Sequence, residues 1–433
     1  MSSLFFIVLL FTAIGFFAYN VRKIKRNILL GKKEVSFESS AEERWKNMSL
    51  VALGQSKMLS RPVAGILHIL VYAGFILINI EVLEIVLDGI LGTHRLFAVW
   101  GRFYDFLIGF FEILALLVFV SVVIFWLRRN VLKLNRFAHP DLKGFPFKDA
   151  NFILVMEMIL MTALMLSNAA DKVLQERHIE PYAQAGMFPV SSLLVPALQA
   201  VSTKTLILTE RFFWWIHIIG ILVFLNYLPV SKHLHIILAF PNTYFYDPNK
   251  PLGKFRIIKE VKDVVMPNFD SNYVPSTDPN ASIQFGAKDV FDLSWKQLLE
   301  AYTCTECGRC TSVCPQNITG KKLSPRKIMM SVRDRLEEVG RNIDQNKKFL
   351  DDGKNLFSYI SEEEIWACNT CHACAEECPV NINPLAIIME LRYHLMLEQS
   401  KAPSSLNAML SNIENNGAPW PFSAADRLKW LEN

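Results

Sequence analysis

Outside two short runs the chain has no cysteine at all: its eight cysteines fall between positions 304 and 378 of 433 residues. Nothing elsewhere can therefore carry a disulfide framework, which in any case belongs to small secreted domains. Charge of one sign is also scarce. The net charge is +4, and the basic residues flank apolar runs instead of forming a tract, so no nucleic-acid partner is expected. Gly-x-Gly-x-x-Gly and Gly-x-x-x-x-Gly-Lys-Ser/Thr are both absent. Flavin, nicotinamide and ATP chemistry then have to come from elsewhere if they occur. No nucleophile–base pair stands out either. The first apolar run lacks the basic leader and small-residue cleavage site of a signal peptide, since Arg22, Lys23, Lys25 and Arg26 come after it.

What is present divides at about residue 242, apolar before and polar after. Five stretches are long enough to cross a bilayer core, at about 3–20, 62–91, 103–127, 151–170 and 211–240. Basic residues order them: Arg22 to Arg26 follow the first, Lys57 and Arg61 precede the second, and Arg128, Arg129, Lys133 and Arg136 follow the third. The N-terminus is then outside, and five crossings leave the C-terminal half in the cytoplasm, at the cell inner membrane. That compartment is reducing, where open iron–sulfur clusters survive.

The cysteines repeat one pattern, Cys304-x-x-Cys307-x-x-Cys310-x-x-x-Cys314-Pro315 and Cys368-x-x-Cys371-x-x-Cys374-x-x-x-Cys378-Pro379. This is the spacing of the bacterial two-cluster ferredoxin run. Zinc needs four ligands at a tetrahedral ion and does not call for this arrangement. In the two-cluster arrangement the fourth cysteine of each run serves the other cluster. One [4Fe–4S] cluster is thus expected on Cys304, Cys307, Cys310 and Cys378, and the second on Cys368, Cys371, Cys374 and Cys314.

Around the runs the pattern is helical. Phe291, Trp295, Leu298, Leu299 and Tyr302 share one face leading into Cys304, and Ser324-Pro325 caps a segment with Met329, Val332, Leu336 and Val339 at helical intervals. The stretch from Pro241 through Pro251, Pro267, Pro275 and Pro279 reads as an irregular linker. The expected division is a membrane domain over 1–241, a linker over 242–289, a helical ferredoxin domain over 290–400, and a partner-docking tail over 401–433.

Histidines are the other metal-binding candidates. His217 and His235 both fall in the 211–240 stretch, separated by a whole number of helical turns and roughly 27 Å along one axis. His68, near the cytoplasmic start of the second span, matches His235 in depth, and the two are the expected ligands of a haem b. A second haem requires a partner for His217; His94 is the candidate if the second helix runs long. Otherwise His217 makes an interior polar contact or binds a quinone headgroup. His233 reads as interfacial. Glu81, Glu84 and Asp88, spaced i, i+3, i+7, with Glu112 and Glu157, are ionisable groups inside spans, where such groups are often functional or else pair across the bundle.

Two family resemblances rest on these residues. Gly65-Ile66-Leu67-His68, Trp214-Trp215-Ile216-His217 and His235-Ile236-Ile237 resemble the cytochrome b (gamma) subunit of respiratory nitrate reductases, a five-helix fold with two b haems that oxidises quinol. His68, His217 and His235 match three of its four haem ligands, whereas the fourth falls at about Ile78, which cannot ligate iron. Cys304-Thr305-Glu306-Cys307-Gly308-Arg309-Cys310 and Cys378-Pro379-Val380-Asn381-Ile382 resemble the iron–sulfur subunits of the heterodisulfide reductase family and the glycerol-3-phosphate dehydrogenase anchor subunits. The tail from Asn412 to Trp430 looks like the segment that leads, in longer relatives, into a cysteine-rich Cys-Cys-Gly catalytic domain. No adjacent cysteines occur here, which implies a separate catalytic subunit or another soluble redox protein as partner.

The expected fold is all-α: a five-helix transmembrane bundle of cytochrome b type plus a cytoplasmic α-helical two-[4Fe–4S] ferredoxin domain. The expected function is electron transfer between the quinone pool, through haem b, and a soluble partner, through the two clusters. Such a chain is the electron-transfer subunit of a quinone-linked oxidoreductase complex of heterodisulfide reductase type, not a complete catalyst. The alternative is a haem-free anchor that docks a dicluster ferredoxin to a quinone-linked complex.

Overall fold

Where no water reaches the backbone, its polar groups have to bond to one another, and an apolar run of sufficient length becomes helix. A computed structural model describes residues 3–33, 35, 37–249, 255, 259–275 and 284–431. It holds five helices long and apolar enough to cross a membrane: α1 (Ser3–Ile28), α2 (Pro62–Leu91), α3 (Arg102–Asn130), α4 (Phe145–Glu176) and α5 (Thr203–Tyr227). Among the described residues there is no β-strand, only an isolated bridge between Lys32 and Ser294.

The ends of these helices follow from sequence. Pro62 opens α2 in the first turn, where its missing N–H has no partner to lose, and Ser202 caps α5 by accepting from the Thr205 N–H. α4 packs along α5, and α2 along α3. Small residues let backbones approach: a Cβ on Gly74 would lie 2.2 Å from Val118, and one on Gly220 2.5 Å from Leu160. Phe11, Phe103, Phe106 and Phe212 point outward and are exposed, the surface a lipid-facing helix presents.

The fifth span differs from the sequence reading. The 211–240 stretch is not one helix: the candidate span runs Thr203–Val230, followed by Ser231 in extended conformation, a turn at Lys232–Leu234, and a new helix α6 (His235–Tyr244). Pro229 cannot donate to the ladder, and Lys232, 8% exposed, is drawn into a polar contact by Asp149 and Glu306. His217 and His235 therefore sit on different helices, and the axial spacing expected from one helix does not apply.

The cysteine-bearing half packs on the end of the bundle. Its core, built by α7 (Trp295–Thr303), α8 (Pro325–Asn346) and α9 (Pro384–Tyr393), also takes in Ile24 and Ile28 of α1 and Leu234. Capping boxes at Ser294 with Gln297 and at Ser361 with Glu364 start the helices that lead into each cysteine run. Arg335, fully buried, is held by Asp289 at 2.7 Å and Asp352 at 2.6 Å. Across the junction Asn27 donates to the Tyr302 hydroxyl at 2.9 Å, and Arg61 to Glu377 at 2.7 Å. The expected 242–289 linker is partly helical. α6 continues through Tyr244, so Asn242 is buried, accepting from Lys296 at 2.8 Å and donating to the Val380 carbonyl at 2.7 Å. A short helix follows at Lys259–Val265. Residues 250–254, 256–258 and 276–283 of that stretch, Pro251 and Pro279 among them, lie outside the described residues.

Candidate iron–sulfur centre and its membrane junction

The two cysteine runs fold alike. In each, the residue two after the first cysteine and the residue just after the second are left-handed: Glu306 (φ 55°) and Gly308 (φ 74°), then Thr370 (φ 58°) and His372 (φ 59°). Such turns aim successive N–H groups into one concavity, the backbone arrangement that receives anions and cluster sulfur. A single helical turn follows each, Arg309–Ser312 and Ala373–Glu376, and the two turns pack together. Pro315 and Pro379 then turn the chain away, and the Ile382 N–H donates to Cys378 Sγ at 3.3 Å.

The charges that act on Cys310 are, in order, those of Cys307, Cys304 and Cys378 and last that of Cys374, whereas Cys374 has Cys368, Cys314 and Cys371. The fourth cysteine of each run thus stands with the first three of the other. Burial pushes Cys304 up to about 11 and Cys374 and Cys378 up to about 12. These thiols are neutral without metal, and iron binding displaces their protons. Among the described residues no three His, Cys, Asp or Glu side chains close on a single ion. Cys304, Cys307, Cys310 and Cys378 line one space together with Met329, Val380 and Ile382, with Cys374 and the cations Arg309 and Arg326 at its margin, a donor set of soft sulfur that suits a cubane.

The two sets face different ways. The first abuts the bundle: Arg309 donates to the carbonyls of Lys57 at 3.0 Å and Met58 at 3.3 Å, and Lys57 to that of Cys378 at 3.4 Å. Glu306, inside the first run, accepts from Arg333 at 2.7 Å and from Lys232 at 2.5 Å. Its carboxyl would be raised by burial, but the two cations outweigh that and hold it below the ordinary carboxylate value. In the second set Cys371 is exposed, and the positive charge that acts on Cys368 is that of Arg392 on α9.

Above the first set the rings of His68 and His235 stand 6.4 Å apart between centroids. Two imidazoles on opposite sides of one metal, each with a bond of about 2 Å, have centroids roughly 6 Å apart. His235 Nδ1 lies 3.1 Å from the Lys232 carbonyl, which fixes the ring and leaves Nε2 for a ligand. His233, read from the sequence as merely interfacial, packs 5.6 Å from His235. Burial lowers both His233 and His235 from their ordinary value, so both are neutral.

His217 is elsewhere. Its Nδ1 lies 2.9 Å from the Leu160 carbonyl, and no histidine ring stands against it: His94 is held by Asp171 at 3.5 Å and packs on Tyr182 at 4.9 Å. Ile78, at the position where the cytochrome resemblance wants a ligand, is buried apolar core. Of the acids flagged in the sequence, Glu112 is occupied by the N–H groups of Val190 at 2.9 Å and Ser191 at 3.1 Å, while Glu81, Glu84 and Asp88 line a cavity with His217. Sequence reasoning missed the partners at that end, Arg95 and Asp171 at 2.7 Å. Arg95 directly follows α2, and that position was the available signal.

Comparison with known proteins agrees with the cysteine geometry. A 4Fe-4S dicluster domain matches residues 303–382. All of the chain aligns, at 28% identity, with a probable iron–sulfur-binding oxidoreductase, FadF, of Bacillus subtilis, covering 61% of that protein. At 23% identity, 98% of the chain aligns with the EtfAB:quinone oxidoreductase of Syntrophomonas wolfei, covering 59% of it. One of the subunits of the ferredoxin:CoB-CoM heterodisulfide reductase of Methanosarcina mazei is 30% identical over 22% of the chain and 45% of its own length. The chain thus spans about 60% of the length of the first two relatives. No solved structure matches it. The chain is similar to iron–sulfur oxidoreductases and contains a 4Fe-4S dicluster domain.

Proposed function

We propose that this chain is the membrane-anchored electron-transfer subunit of a quinone-linked oxidoreductase, passing electrons between the membrane quinone pool and a soluble redox partner. The observation that carries this reading is the stacking order at the junction. The His68–His235 pair lies within the bundle end, the Cys304, Cys307, Cys310 and Cys378 set is in contact with the loop leading into α2, and Cys371 of the other set reaches the surface. A haem b between His68 and His235 would supply a one-electron carrier inside the apolar layer. The Lys232 carbonyl orients the His235 ring, and Lys232, Glu306 and Arg333 fix the first cysteine loop beneath the pair.

The orientation follows the basic residues. Arg22, Lys23, Lys25, Arg26, Lys57, Arg61, Arg128, Arg129 and Arg136 all lie at the end where the cysteine half docks, so that end is cytoplasmic by the positive-inside rule. The partner meets the chain at the exposed Cys371 side. Its identity as a Cys-Cys-Gly-type catalytic subunit is supported by the heterodisulfide reductase likeness.

Anaerobic purification of the full chain tests this directly. The expected preparation holds about eight irons and eight sulfides per chain, as two [4Fe–4S] clusters require, and gives a b-type pyridine haemochrome. Clusters without any b-type signal would leave a haem-free anchor; far fewer irons would end the electron-transfer reading.

A further inference from the structure

The end of the bundle opposite the cysteines holds a cavity of about 250 Å³, walled by the ends of α1, α2, α4 and α5 and by the turn after α2. Most of its polar groups are satisfied. Glu84 accepts from the Phe97 N–H at 2.7 Å and the Tyr104 hydroxyl at 2.8 Å, and Asp171 accepts from Arg95 at 2.7 Å. Two groups are not. His217, 4% exposed, has its Nδ1 on the Leu160 carbonyl and its Nε2 without a partner. Glu81, 3% exposed, accepts no hydrogen bond from any described residue. An imidazole nitrogen and a carboxylate buried in this state are costly, and both are turned to the same space. The walls beside them are apolar and aromatic, with Phe6 packed on Trp214 at 5.8 Å and on Trp215 at 6.3 Å.

A ligand that resolves both groups presents two hydroxyl donors on a flat ring and enters from the lipid. We propose that this cavity is the quinol/quinone headgroup site, one hydroxyl donating to His217 Nε2 and the other to the Glu81 carboxylate. This rests on the quinone-linked reading above and gives it a place. Oxidation of the bound quinol breaks its two O–H bonds, sends two electrons to the two clusters, one to each, and releases two protons. Reduction of the quinone takes up two electrons and two protons by the reverse steps. The protons exchange with the face away from the clusters, because Glu84 and Asp88 continue from Glu81 along α2 to that face. Glu81 and His68 share α2 thirteen positions apart, which the helical rise converts to about 20 Å. Electrons therefore cross most of the apolar layer while protons do not, and turnover separates charge across the membrane.

The test uses the full chain with its clusters in sealed vesicles, cysteine half outward, with a pH dye in the lumen. The clusters are first reduced by a stoichiometric amount of dithionite, and a decyl-tailed quinone is then added. Quinone is expected to reoxidise the clusters while the lumen becomes alkaline by about one proton per electron. E81Q and H217Q, each checked for unchanged iron content and haemochrome, are expected to slow reoxidation at least tenfold. Reoxidation without a lumen pH change, or both variants reacting at the unaltered rate, overturns the proposal and leaves the quinone reading intact. Failure of the unaltered chain to react with quinone removes the quinone reading and this site with it.

Discussion

Removing Arg326 should loosen the junction between bundle and clusters without touching either cofactor's ligands. Arg326 is 1% exposed and belongs to α8 of the cysteine half. Its guanidinium forms a two-point contact with Asp141 and donates to the Arg136 carbonyl at 2.8 Å, both in the loop joining α3 to α4. Breaking a buried ion pair by deleting one partner costs about 3–5 kcal/mol. Asp141 keeps the Ser324 hydroxyl at 2.8 Å and His139 at 2.9 Å, so Arg326→Met belongs near the lower end. About 3 kcal/mol is roughly a 150-fold larger open population. Hydrogen exchange of the intact protein reads that population directly. Amides of 304–310 and 135–142 are expected to exchange about a hundredfold faster, and those around Glu81–Arg95, at the other end of the bundle, at the original rate. Exchange altered less than threefold, or raised uniformly along the chain, would refute the argument.

Cys378→Ser and Cys314→Ser should each lower iron to about half, with Cys378→Ser removing the cluster against the bundle and Cys314→Ser the outer one; loss of the same cluster in both, read by electron paramagnetic resonance, would show that the fourth cysteines do not exchange. His68→Leu should abolish b-type absorbance with both clusters retained, whereas His233→Leu should keep it, as visible spectra will show. Burial alone would raise Asp141, but the hydrogen bonds and charge of Arg326 outweigh it and leave the carboxyl below 3.8. A group depressed on folding stabilises above its unfolded value and loses that contribution as pH falls through the folded one. The Asp141 contribution should thus be full and constant between pH 5 and 8, with no pH dependence of junction exchange from this group, and the junction should loosen only below about 4.

The parts legible in the sequence were those in which residue type alone dictates the outcome. Cysteine spacing marks a cluster loop because the loop itself supplies the ligands, and Ser324-Pro325 marks the start of α8 because cap and first turn are local. The first four spans could be read for the same reason. The fifth was read with its ends displaced, because Leu228-Pro229-Val230 is as apolar as a span and hides a backbone break; Ser231, Lys232 and His233 carried the warning. The polar end of the bundle was half legible. Glu81 and Glu84 announce themselves inside α2, but Arg95, Asp171 and His217 come from three other segments, and periodicity says nothing about which of them meet. Nor could sequence tell that Glu112 caps a loop while Glu81 lacks a partner, since both are one carboxylate in an apolar helix.

One difference between the duplicated runs separates a local requirement from a tertiary one. The residue after the second cysteine is left-handed in both, yet it is Gly308 in the first run and His372 in the second. The left-handed backbone costs any residue with a Cβ roughly 1–2 kcal/mol, a cost the second run bears with histidine. A second demand is added at Gly308 by Arg326: a Cβ there would overlap its guanidinium and lie 3.4 Å from the Arg136 carbonyl. Gly308→Ala should therefore displace Arg326 and cost about 1–3 kcal/mol, the usual range for overpacking, and the inner cluster should lose iron to a chelator faster. His372→Gly, at the outer set where Cys371 is exposed, should leave iron release unchanged within a factor of two or three. In the background of Arg326→Met, whose shorter side chain leaves room for a methyl group, Gly308→Ala should lose the part of its effect that the guanidinium causes and keep roughly 1 kcal/mol from the left-handed backbone. Full additivity of the two substitutions would mean that the glycine is required by its own backbone and not by the guanidinium that closes over it.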